Sequence, residues 1–114
     1  MTYRDPKIIL TFFGGNVSYR VGNGPEIYLE GLPKTEYNLL LGLAKLTDWW
    51  ILPYDDAYKI VYDGEENLSR DRCSYNLSQV ISRTRGKFYP YGKKIIRTIH
   101  TRGLMRGFDP EFKD

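Results

Sequence analysis

A single cysteine, Cys73, leaves no partner for a disulfide within the chain and fits a reducing compartment. There is one histidine, His100, and no metal-ligand spacing joins it to Cys73. No apolar run approaches the ~20 residues of a membrane-spanning helix. The opening MTYRDPKIIL carries an acid and a proline where a secretory leader would have a basic and then an apolar stretch. The expectation is a cytoplasmic protein with no membrane partner. The glycine-rich turns near Gly14-Gly15 and Gly22-Asn23-Gly24 lack phosphate-loop spacing, and no helix follows them directly. Asp55-Asp56 and Glu65-Glu66 are adjacent acids in polar surroundings without a nearby histidine, so they read as solvated. With no Ser/His/Asp grouping either, the expectation is a non-enzyme without cofactor or metal.

What remains is an ordinary apolar share, 41%, in 114 residues. That suits one globular domain, 1–114, with an ordered core over about 7–108. The net charge of +3 is unevenly spread. Residues 1–66 hold six Lys/Arg and ten Asp/Glu; residues 67–114 hold eleven Lys/Arg and four Asp/Glu. Such polarity suits a polyanion docking at one end, and equally a solvated basic face.

The pattern along the chain predicts an α+β fold. Residues 7–13 (KIILTFF), 17–21 (VSYRV) and 26–29 (EIYL) read as a small antiparallel meander divided by glycine turns. Residues 34–46 read as a helix apolar on two stripes, hence buried on more than one side. Trp49-Trp50-Ile51-Leu52 reads as a short strand with one tryptophan in the core. A second helix is predicted over 53–62, with Pro53 and Asp55-Asp56 suited to its first turn. Residues 63–72 read as a polar loop.

The stretch 75–106 dominates the basic half. At 100° per residue, Leu77, Ile81, Thr84 and Phe88 share one side of a helix over 74–88, with Val80 on the flank. Tyr75, Ser78, Gln79, Ser82, Arg83 and Arg85 occupy the other side or its edges, and no acid is among them. Two apolar runs around Thr101-Arg102-Gly103 then predict a hairpin within 93–108, carrying Lys93, Lys94, Arg97, Arg102 and Arg106. The tail 109–114 is polar and is expected to fray.

Four segments in order resemble OmpR/PhoB-type winged-helix DNA-binding domains. LPKTEYNLLLGLA (32–44) is similar to the family's first helix, and 52–64 to its second. ISRTRGKF (81–88) resembles the end of the recognition helix, and IRTIHTRGL (96–104) the wing. The early meander fits the four-stranded sheet that precedes the family's helices. The resemblance implies a winged helix-turn-helix with an N-terminal antiparallel sheet, three helices and a C-terminal hairpin wing. It implies double-stranded DNA as partner, with the third helix in the major groove and the wing in the minor groove. The groove-facing helix positions fall on Tyr75, Asn76, Gln79, Val80 and Arg83, with Arg85 near phosphates. Wing positions fall on His100, Thr101 and Arg102.

Chemistry divides these residues further. Lys93, Lys94, Arg97, Arg102 and Arg85 suit phosphates, and Arg83, Asn76 and Gln79 suit base edges. The expected role is a small transcription regulator, or an accessory factor processing plasmid or phage DNA, working in pairs on repeated half-sites. No receiver domain is seen, so regulation is expected by another route. The alternative is a winged-helix protein-interaction module contacting RNA polymerase or a DNA-processing complex. Trp49-Trp50, Tyr89, Tyr91 and the loop 63–72 would be its contact surfaces.

Overall fold

In a computed structural model, residues 6–46, 50–62 and 70–113 are described, with side chains from 77 onward in the last segment. The fold is α+β, with four helices and two sheets among the described residues. No helix among them is long and apolar enough to cross a membrane.

The meander forms as the alternation predicts. Strands β1 (Ile8–Phe13) and β2 (Asn16–Val21) pair antiparallel. The two-residue turn between them, Gly14-Gly15, has φ of 53° and 82°, the primed-turn geometry that matches strand twist and that glycine adopts without strain. Strand β3 (Ile27–Leu29) adds to the edge of β2. Ile8, Leu10 and Phe12, with Val17 and Tyr19 from β2, turn inward.

Helix α1 (Lys34–Ala44) buries Leu39, Leu40, Leu43 and Ala44, as its wide apolar surface requires. Strand β4 (Ile51–Leu52) leads into helix α2 (Tyr54–Val61), which buries Ala57 and Val61. The two helices approach closely because residue 42 is glycine. A Cβ there would lie 2.8 Å from Ile60 Cγ2. Helix α3 (Arg70–Gly86) packs on both. It begins four residues before the predicted start and ends two before the predicted end. Beyond Gly86 the chain continues in three-residue turns, with Lys87 N–H donating to Thr84 O and Phe88 N–H to Arg85 O. Phe88 still reaches the core and meets the Tyr19 ring edge-on, 4.9 Å between centroids.

A fourth helix, α4 (Gly92–Ile95), stands where the pattern predicts the start of a hairpin. Tyr91 O accepts both the Lys94 and Ile95 N–H groups at 3.0 Å, closing a single turn. Lys93 and Lys94 therefore belong to this turn. The hairpin proper is β5 (Ile96–Ile99) and β6 (Gly103–Arg106), antiparallel, and β4 pairs with β6 to complete a three-stranded sheet.

The tail differs from expectation. Asp109–Phe112 forms strand β7, parallel to β1 in the register Ile9 to Asp109 through Phe12 to Phe112. The four-stranded sheet, ordered β3-β2-β1-β7, thus takes its last strand from the C-terminal segment, not from a fourth strand ahead of the helices. The Phe112 ring stacks on Phe12 at 5.4 Å while staying 57% exposed, so regular structure, though not the buried core, continues past 108.

Candidate nucleic-acid interface

The candidate interface is built on α3, α4 and the hairpin. The buried side of α3 is set by Leu77, Val80, Ile81 and Thr84, with Thr84 Oγ1 donating to Val80 O at 2.6 Å. This corrects one site residue. Val80 is only 6% exposed and packs in the core, so it faces no groove. Its position on the apolar flank of the helix already favoured that outcome. The solvent side carries exposed Ser78, Ser82, Arg83 and Gly86, with Gln79 half-buried. Tyr75 and Asn76 fall on the α3 backbone, and their side chains, like the loop 63–69, lie outside the described residues.

Arg85 is also corrected. Instead of reaching outward to phosphate, its Nε and Nη2 donate to Ile96 O at 3.0 and 2.6 Å, and Nη2 donates to Thr98 Oγ1 at 2.6 Å. Two donors on one carbonyl make a fork that fixes β5 against α3. Burial is the main cause that lowers the guanidinium pKa from its ordinary value. No carboxylate pairs with it among the described residues.

Two other cations of the basic half serve the scaffold as well. Arg106 Nη1 donates to Ala44 O at 2.9 Å and Leu46 O at 2.6 Å, satisfying carbonyls at the end of α1. Lys87 Nζ lies 3.3 Å from Oε1 of Glu36, a carboxylate with only 3% of its surface exposed. That oxygen accepts no hydrogen bond among the described residues, so the contact is an ion pair without hydrogen-bond alignment.

Lys93 and Lys94 are exposed on α4, and Lys94 Nζ lies 6.0 Å from the Tyr91 ring centroid. At the hairpin tip, His100, Thr101 and Arg102 are all exposed. Arg102 N–H closes the turn on Ile99 O at 2.9 Å, and Thr101 takes φ of 59°, unusual for a β-branched residue. Gly103 is required: a Cβ would collide with Leu52 O. Arg97 is exposed but alternates to the opposite face of β5 from Thr98. There it lines a cleft of about 310 Å³ with Lys7, Met105 and Asp109. It does not join the α3 surface.

Sequence reasoning missed the groove that α3 and β5 enclose. It has a volume of about 630 Å³, with Leu77, Ile81 and Leu104 as floor. Ser78, Ser82 and Thr98 supply hydroxyls, Arg85 and Lys93 charge, and Tyr54 and Tyr89 aromatic walls. Tyr89 is 85% exposed. The run Tyr89-Pro90-Tyr91 is the signal that was available, since exposed aromatics beside a helix break are candidates for contact. Elsewhere, Trp50 is 62% exposed and not in the core, and Trp49 lies outside the described residues. No metal-binding group of His, Cys, Asp and Glu occurs among the described residues. Compared with protein-family models, curated proteins and solved structures, the chain shows no significant match.

Proposed function

We propose that this protein binds double-stranded DNA as a winged-helix module, with α3 in the major groove and the β5–β6 hairpin as the wing in the adjoining minor groove. The observation carrying this reading is the distribution of charge. From Ser78 to Gly86, the exposed arc of α3 offers hydroxyls, Gln79 and Arg83. Lys93, Lys94 and Arg102 stand on the next two elements, and no acid accompanies them. On this reading Gln79 and Arg83 address base edges, joined through the resemblance by Tyr75 and Asn76. Lys93 and Lys94 meet phosphates, and His100, Thr101 and Arg102 enter the minor groove. Arg85 acts indirectly, by holding the wing at its angle to the helix. The biological role would be a small transcription regulator or a DNA-processing accessory factor, bound as two copies on repeated half-sites.

A duplex-binding titration at several salt concentrations tests the proposal. With Lys93 and Lys94 on phosphates, log affinity should fall against log salt with a slope of about −2. Negligible affinity at low salt, or none of this salt dependence, ends the DNA reading. Arg83→Ala should weaken a cognate site, selected from random DNA, by about 1–3 kcal/mol more than random duplex. Lys94→Ala should weaken both alike.

The exposed Trp50, on the strand side of α2, favours a second reading in which the same scaffold docks another protein. Loss of partner binding in Trp50→Ala with duplex affinity intact would separate the two.

A further inference from the structure

The groove between α3 and β5 has features that duplex binding does not need. Duplex recognition wants an accessible helix face and a cationic rim. This groove adds an apolar floor from three buried side chains, Leu77, Ile81 and Leu104, and two tyrosines at its edges. Its volume of about 630 Å³ is that of a small-molecule site. Its electrostatics are one-sided. Arg85 and Lys93 line it, and no Asp or Glu does among the described residues. Arg85 is the decisive group. Its hydrogen-bond partners, Ile96 O and Thr98 Oγ1, are neutral, so among the described residues no counter-charge meets this partly buried cation at the groove wall. A partly desolvated charge without a counter-charge favours an anion that can sit beside it.

We infer that this groove is a binding site for a small organic anion with a flat apolar ring system and one acidic group. The ring lies over the Leu77–Ile81–Leu104 floor between the tyrosines, and the acidic group turns toward Arg85 and Lys93. Such a ligand would occupy the space between helix and wing that a DNA strand must straddle, so it would oppose duplex binding. That regulatory half rests on the DNA-binding reading; the ligand site itself does not.

The probe is 1-anilinonaphthalene-8-sulfonate, followed by fluorescence on the whole chain, with the uncharged N-phenyl-1-naphthylamine as its counterpart. Saturable binding of one sulfonate probe per chain is expected. Lys93→Glu should weaken it about tenfold, as charge reversal beside a bound anion does. The uncharged dye should bind more weakly. Ser82→Trp should abolish binding by filling the groove. Gly86→Phe is the second filler, since a Cβ at Gly86 meets nothing within 4 Å and the fold should accept it. Failure of the sulfonate probe to bind overturns the site. So does equal binding by both fillers and the parent chain, or equal affinity for the uncharged dye. Duplex addition should displace the probe. A chain that binds duplex but not the probe loses only the ligand site. A chain that binds the probe in the groove but no duplex at low salt loses the DNA reading and keeps the ligand site.

Discussion

The two ends of the molecule handle charge differently. At the four-stranded sheet, polar groups close on one another. Ser18 Oγ donates to Glu26 Oε1 at 2.6 Å, Tyr28 OH donates to Glu26 Oε2 at 3.1 Å, and Lys7 pairs with Asp109 at 3.5 Å. At the helix–hairpin end, residues 78–102 carry no acid. Cations there turn inward to backbone carbonyls, as Arg85 and Arg106 do, reach the buried Glu36 of α1, as Lys87 does, or stand in solvent, as Arg83, Lys93 and Arg102 do. The difference teaches that a count of arginines overstates an electrostatic surface. Some of those cations are construction elements, and the surface offered to a polyanion is what remains after they are assigned.

The comparison can be broken most severely at Gly103. Gly103→Ala forces a Cβ into Leu52 O, and unfolding in denaturant should show a loss of about 3 kcal/mol or more. Next comes Lys87→Met, which strands the Glu36 carboxylate in the core; a loss of about 2 kcal/mol is expected in the same assay, with groove residues untouched. Arg85→Lys sharpens the contrast further because it keeps charge and loses the fork. A loss of about 1–2 kcal/mol is expected, along with weaker duplex binding at an unchanged salt slope. A reduced slope would return Arg85 to direct phosphate contact.

The smallest effect belongs to the sheet end. The Ser18 hydrogen bond is the main cause lowering the Glu26 pKa below its ordinary value. Because the folded-state pKa is depressed, this contribution to stability is present at pH above the ordinary carboxylate range. It is lost as pH falls through the lower, folded value. Ser18→Ala should move the Glu26 titration upward by NMR and flatten the acid side of the stability profile, leaving duplex affinity as it was.

Much of the scaffold was legible because periodicity reports burial. The two apolar stripes of α1 and the Leu77–Ile81–Thr84–Phe88 face of α3 are direct consequences of packing. The tail escaped because DPEF looks unlike a strand. Asp, Pro and Glu are tolerated in β7 only because it is an edge strand with one neighbour. The single turn α4 escaped because four residues hold no period. At the interface, the exposure of Arg83 and of the hairpin tip followed from helical phase and turn position. The fates of Arg85 and Arg106 did not, since the carbonyls that capture them come from Ile96, Ala44 and Leu46. Val80 shows the converse: its helical phase pointed inward, while its aligned position pointed outward.

Strand β7 also bears on how the chain reaches this state. Ile9 and Asp109 are partners separated by 100 residues, so the large sheet cannot be completed until residues 109–112 have been synthesised. Before that point the inner Phe12 ring lacks its stacking partner, and β1 presents a bare edge to any passing strand. Closing so long a loop is entropically late as well as temporally late. The nascent chain therefore has an interval in which β1 is open to mispairing, and docking of β7 brings that interval to an end.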